Sequence, residues 1–146
     1  MRWLARRDYS RAELTQRLRR RGIEEADIER ALDQLSAAGY LSDARYAQAV
    51  VAQRKGRFGK RAIVHALSER GIAAPEAASA LAQLAGSDEF AEARALWQRR
   101  FGQKGNPVPR DERDKARQVR FLQARGYSVS VALRVLREAG VNEDDT

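Results

Sequence analysis

The sequence predicts an all-α chain of three tandem three-helix repeats that form an elongated, curved helical array. Three observations carry this. Strand formers are scarce: Ala (26) and Leu (13) dominate the apolar set, whereas Ile and Val together number 13 and Pro only 3. Six of the ten Gly fall in pairs of similar spacing: Gly22 with Gly39, Gly71 with Gly86, and Gly126 with Gly140. Each first Gly also follows an Arg, precedes a bulky apolar residue and lies four positions after a Leu. The three copies read Leu18 with Arg21-Gly22-Ile23, Leu67 with Arg70-Gly71-Ile72, and Leu122 with Arg125-Gly126-Tyr127.

The elements follow from these marks in order. A short helix is predicted over 2–7, so the first repeat is shortened at its start. The next, 10–21, opens on a Ser10/Glu13 capping box, in which two side chains satisfy amides left free at the helix start. Gly22 ends it, because the residue past a helix C-terminus commonly adopts a left-handed conformation that Gly takes with little strain. Glu24, Glu25, Asp27 and Glu29 then gather at the start of a helix over 24–38, where the macrodipole favours acids. Ile28, Leu32 and Leu35 share its inner face.

In the middle repeat, Ser42 caps a helix over 43–54. A helix over 60–70 carries Ile63 and Leu67 inward with Val64 beside them, and one over 74–85 has Pro75 in its first turn. In the third, Ser87 is the expected N-cap of a helix over 88–101. Gly102-Gln103-Lys104-Gly105-Asn106-Pro107-Val108-Pro109 is a loop on its Gly and Pro content. Helices over 110–125 and 128–139 complete the repeat. The last is capped by Ser128 and packs through Val129, Leu133 and Leu136. The predicted divisions are 1–39, 40–86 and 87–141, with an acidic tail over 142–146 expected to fray.

Much chemistry is excluded. No apolar run approaches 18 residues, so no membrane span is expected. The basic Met1–Arg7 stretch lacks the apolar core of a secretory signal. With no Cys, disulfides, thiolate zinc sites and thiol nucleophiles are removed together, and a reducing cytoplasm is the expected compartment. His65 is the single His, so neither a His-based triad nor a His metal cluster can be assembled. It falls opposite Ile63 and Leu67, on the surface. Gly56-Arg57-Phe58-Gly59-Lys60-Arg61 lacks the gap, the hydroxyl residue and the strand of a phosphate-binding loop. No catalytic residue, metal or cofactor is expected.

Charge points to partners instead. Lys and Arg number 28 against 20 Asp and Glu, and the net charge of +8 favours acidic partners, nucleic acid first. Coding bias is a second source for 24 Arg against 4 Lys. From Ala44 to Ser68 there are six basic residues and no acid. Arg54, Lys55, Arg57, Lys60 and Arg61 crowd the turn between two helices. Phe58, inside that run, either meets a base or a protein partner, or packs in the core while Arg54 and Lys55 serve a helix C-terminus. A second basic set comprises Arg99, Arg100, Lys104, Arg113, Lys115, Arg117, Arg120 and Arg125. Asp111, Glu112 and Asp114 intervene there, so part of it is open to local ion pairing.

The run Tyr9-Ser10-Arg11-Ala12-Glu13-Leu14 with Leu18 and Gly22 resembles the opening of the RecX regulatory protein family. So does Gly39-Tyr40-Leu41-Ser42-Asp43-Ala44-Arg45-Tyr46-Ala47, the most specific segment. Arg54, Gly59 to Arg61, Ile63, Leu67, Arg70-Gly71-Ile72 and Phe121-Leu122-Gln123-Ala124-Arg125-Gly126-Tyr127 continue the match. The shortened first helix and the pair Pro107 and Pro109 depart from it.

The resemblance implies a modulator of the RecA recombinase that lies in the helical groove of the RecA–single-stranded DNA filament; a monomer is expected. Bound there, such a protein blocks growth or promotes disassembly. It thereby restrains strand exchange, ATP hydrolysis and the coprotease function behind the SOS response. The candidate filament- or DNA-binding residues are Arg54, Lys55, Arg57, Lys60, Arg61, Arg99, Arg100, Arg117, Arg120 and Arg125. The alternative is a helix-turn-helix-like regulator that binds bare single- or double-stranded DNA directly. No helix concentrates base-reading Asn, Gln and Arg in the way that reading requires.

Overall fold

The computed structural model describes residues 8–144, with side chains up to Gly140. The helix expected over 2–7 lies outside the described residues. Among the described residues the protein is wholly helical, with eight α-helices and one 3₁₀ turn. We label them α1 (Arg11–Arg20), α2 (Glu25–Ala37), α3 (Asp43–Arg54), α4 (Lys60–Glu69), α5 (Ala74–Leu81), α6 (Glu89–Phe101), α7 (Glu112–Ala124) and α8 (Val129–Asp144). The 3₁₀ turn, Ala82–Leu84, closes α5, so the helix expected to reach 85 tightens over its last residues.

Local signals account for most boundaries. Both halves of the Ser10/Glu13 capping box are formed, and Ser42 and Ser128 cap α3 and α8 by accepting from Arg45 N and Val131 N. The start of α6 differs from expectation. Asp88, not Ser87, is its N-cap and accepts from Ala91 N at 3.1 Å, because a carboxylate complements the positive helix end better than a hydroxyl does. The three Leu-x-x-Arg-Gly turns close alike. The amide after each Gly donates to the Leu carbonyl, Ile23 to Leu18 at 3.2 Å, Ile72 to Leu67 at 3.1 Å and Tyr127 to Leu122 at 3.1 Å. This is the Schellman closure, with the Gly at positive φ.

Two expectations about α8 are corrected. The helix continues through Gly140 to Asp144 instead of ending at 139, because Gly weakens a helix interior by only about 1 kcal/mol and does not forbid it. Its inner face is Ala132, Val135 and Leu136, whereas Val129 and Leu133 are exposed. Small Ala132, fully buried, permits the close approach of neighbouring helices and so sets the face; a search for large apolar residues overlooks it.

The chain divides into two compact units, Met1–Gln53 with Val64–Gln83, and Arg54–Ile63 with Leu84–Thr146. In the first, Leu14, Leu18, Ile28, Leu32 and Leu41 form a core flanked by Tyr9 and Leu35. Ser10 is fully buried there, and its hydroxyl donates to Arg70 O at 2.8 Å. That bond seats the start of α1 on the turn after α4. A Cβ on Gly71 would lie 2.4 Å from the Ala12 Cβ.

In the second unit α6, α7 and α8 pack on one another around Ala93, Leu96, Trp97, Leu122, Tyr127, Ala132, Val135 and Leu136. The same docking recurs there. Gly59 N donates to Arg125 O at 2.7 Å, and a Cβ on Gly126 would lie 2.5 Å from the Ala62 Cβ and 2.7 Å from the Ala62 nitrogen. Backbone meets backbone at this point. The junction carries the basic turn between α3 and α4 to the end of α7.

Candidate functional site

Arg54 ends α3, where a cation suits the helix C-terminus, and the chain turns at once. Arg57 N and Phe58 N both donate to Arg54 O, at 3.0 and 3.1 Å, and Gly56 takes φ 79° to allow it. The turn folds Phe58 back beneath Arg54, whose guanidinium sits 5.2 Å from the ring centre. The Gly59–Arg125 backbone bond then brings Arg125 over the same ring, also at 5.2 Å.

From Arg125 the stacking continues along α7 to α6. Arg125 lies 5.6 Å from the Phe121 ring, one helical turn earlier, and Phe121 meets Phe101 edge to face at 5.3 Å and 85°. Arg100 stands over both rings, 5.8 Å from Phe121 and 5.4 Å from Phe101, and Arg117 covers Phe101 at 5.2 Å. Four arginines and three phenylalanines thus alternate along one ladder. Each cation–ring pair contributes only about 0.5–1 kcal/mol at exposed sites. The ladder's chief effect is therefore to set where the guanidiniums stand.

The two basic sets, far apart in sequence, meet here. Arg54 comes from the first, Arg100, Arg117 and Arg125 from the second. Lys55, Arg57, Lys60, Arg61, Arg99 and Arg120 lie outside the ladder, and all six are exposed. Charge alone does not single out Phe101 and Phe121. For Phe121 the signal is readable as Arg117, Phe121 and Arg125 four residues apart, one face of a helix. Arg110 lies outside both basic sets, yet with Arg113, Arg117 and Arg120 it lines an open hollow of about 480 Å³ that Asp111 and Asp114 also line.

Carboxylates temper this charge unevenly. Arg117 pairs with Asp114 at 2.8 Å. That bond, with the Arg110 amide second, holds the Asp114 carboxyl below the usual carboxylate range. Among the described residues Arg54, Arg57, Lys60, Arg61, Arg99, Arg100, Arg120 and Arg125 make no ion pair. The basic turn has no acid near it in sequence, but α6 supplies two in space. Lys60 N donates to Glu89 Oε1 at 2.9 Å. Glu92 lies within reach of the Lys55 charge; burial first, then Glu89, raises its carboxyl. His65 is exposed and faces Glu69 at 3.0 Å.

The imbalance belongs to one unit. Residues 54–63 with 84–146 contain 17 Lys and Arg against 10 Asp and Glu, whereas the rest of the chain has 11 against 10. Among the described residues no group of three or more His, Cys, Asp and Glu could hold a metal ion, and no helix is long and apolar enough to cross a membrane.

Fold and site together describe a helical protein of three-helix domains with one strongly basic, arginine-faced unit. Family models of RecX match throughout: the first three-helix domain over residues 1–35, the second over 42–81 and the third over 87–136. The regulatory protein RecX of Leptothrix cholodnii is 44% identical over 144 residues, 99% of this chain and 88% of that protein. The one from Ectopseudomonas mendocina is 42% identical over 135 residues, covering 92% of this chain and 87% of that protein. The crystal structure of RecX from Lactobacillus salivarius shares the fold, with a TM-score of 0.70 at 19% identity over 96% of this chain and 91% of that one. The chain belongs to the RecX family of regulatory proteins.

Proposed function

We propose that the chain is a cytoplasmic regulator, mainly an inhibitor, of RecA. It binds the RecA–single-stranded DNA filament as a monomer and limits filament growth, ATP hydrolysis, strand exchange and coprotease activity. DNA repair and the SOS response are thereby restrained. It acts by binding, not catalysis. The observation that carries this beyond family membership is the ladder with its flanking cations. Guanidiniums held at fixed positions with few carboxylate partners suit a nucleoprotein filament that presents phosphate.

The test is the RecA ATPase on single-stranded DNA with the full chain titrated in. A dose-dependent fall at protein concentrations well below those needed to coat bare DNA is the expected result. No inhibition, with tight binding to bare duplex DNA, would instead favour the direct DNA-binding regulator.

A further inference from the structure

We propose that the Arg54–Phe58–Arg125–Phe121–Arg100–Phe101–Arg117 ladder is a comb for the phosphodiester backbone of a single nucleic-acid strand, in which the phenylalanines are positioning residues. It deepens the functional reading above by naming which chemical component of the filament this face takes.

The ladder gathers like charges. Arg54 and Arg125 share Phe58, Arg125 and Arg100 share Phe121, and Arg100 and Arg117 share Phe101. Each neighbouring pair of cations is thus gathered around one ring, and of the four only Arg117 has a carboxylate partner among the described residues. Packing alone would be better served by neutral side chains over the rings, whereas a polyanion laid across the comb relieves the repulsion.

The rings supply what a flexible arginine lacks. A free guanidinium loses rotamer freedom on meeting a phosphate; one already laid on an aromatic face has given up much of it before binding. Phe101 and Phe121 are themselves fixed, being packed against the core of the unit. Because the arginines cover the ring faces, the accessible groups are N–H donors. That favours phosphate oxygens as acceptors over bases stacked directly on Phe. A single strand suits the comb better than a duplex, since its backbone can bend to follow side chains drawn from three helices and a turn. The hollow lined by Arg110, Arg113 and Arg120 extends this basic surface along α7.

The test holds charge constant. Full-length protein and the variant R54K/R100K/R117K/R125K are compared for binding to a fluorescein-labelled dT oligonucleotide by anisotropy, without RecA, at several salt concentrations. Lysine keeps every charge but cannot present a planar, stacked fork. The comb predicts roughly threefold or greater weakening with the fold intact by circular dichroism. A second pair separates ring from bulk: Phe58→Leu should weaken binding and Phe58→Tyr should restore it. The corresponding alanine variant should lower the salt slope by about 0.7 for each phosphate it no longer neutralises.

Unchanged oligonucleotide affinity in the lysine variant would overturn the comb. So would loss of RecA inhibition with oligonucleotide binding intact, which would assign this face to an acidic protein surface. Because the oligonucleotide assay contains no RecA, failure of the comb and failure of the RecA reading register separately.

Discussion

Trp97 Nε1 donates to Gln118 Oε1 at 2.6 Å, and both side chains are almost completely buried. The amide nitrogen of Gln118 then donates to Pro107 O at 2.9 Å. One glutamine thus satisfies the indole of α6 and ties down the loop that leads into α7. Phe101, at the start of that loop, is one rung of the ladder, and Arg117, the residue before Gln118 on α7, is another.

Replacing Gln118 by Leu would therefore strand the buried Trp97 N–H and the partly buried Pro107 carbonyl. Each group left unpaired costs about 1–3 kcal/mol. Urea unfolding followed by tryptophan fluorescence should show a lower midpoint, and Gln118→Glu should not restore it, because a carboxylate cannot donate to Pro107. A midpoint equal to the parent's would mean that water replaces the glutamine without penalty.

Glycines that look alike in sequence should respond differently to alanine. Gly22 and Gly126 both have positive φ, which costs a residue with a Cβ about 1–2 kcal/mol. At Gly22 nothing lies within 4 Å of the added Cβ, so Gly22→Ala should cost only that. At Gly126 the new carbon would meet Ala62 backbone, adding roughly 1–3 kcal/mol for overpacking. Thermal melts of the two variants should rank them in this order; equal melting temperatures would contradict the close docking of the basic turn on α7.

Leu67 is 1% exposed on the inner face of α4, and Leu67→Ala should cost about 2–5 kcal/mol. Val64, 42% exposed on the same helix, serves as the control: Val64→Ala should be nearly neutral. Chemical denaturation of the pair checks the assigned face.

Tyr127 is buried, and its hydroxyl faces Glu92 at 3.5 Å. Burial first, then the charges of Glu92 and Glu89, raise its ionisation well above the ordinary tyrosine range. Since the folded value is the raised one, its contribution to stability is complete below about pH 10. It is lost as the pH climbs from there through the folded value. Unfolding midpoints should fall over that alkaline window, and less steeply in Tyr127→Phe. Parallel declines would place the titrating group elsewhere.

The exposed cations of the basic turn offer a functional prediction. The variant R57Q/K60Q/R61Q should weaken inhibition of RecA while helix content stays unchanged, because exposed charges contribute little to stability. If these side chains meet phosphate, the log–log salt slope should drop by roughly 0.7 for each single-strand phosphate released. Undiminished inhibition across several salt concentrations would remove the turn from the site.

Much of this was legible in the sequence because it is local. A helix end is decided within about four residues, so the Leu-x-x-Arg-Gly turns, the Ser10 cap and the all-helical character follow from short-range spacing alone. The concentration of charge around Arg54 to Arg61 was equally visible. Tertiary structure decided the remainder. Gly71 and Gly126 acquire a second constraint only because Ala12 and Ala62 approach them from distant segments. Val129 and Leu133 face outward because Ala132 sets the packing face of α8. Arg54 and Arg125 share Phe58 only because the Gly59 amide reaches the Arg125 carbonyl. Spacing records which side chains lie on one face of a helix; which remote ring a guanidinium finally covers depends on backbones that approach only after the helices have packed.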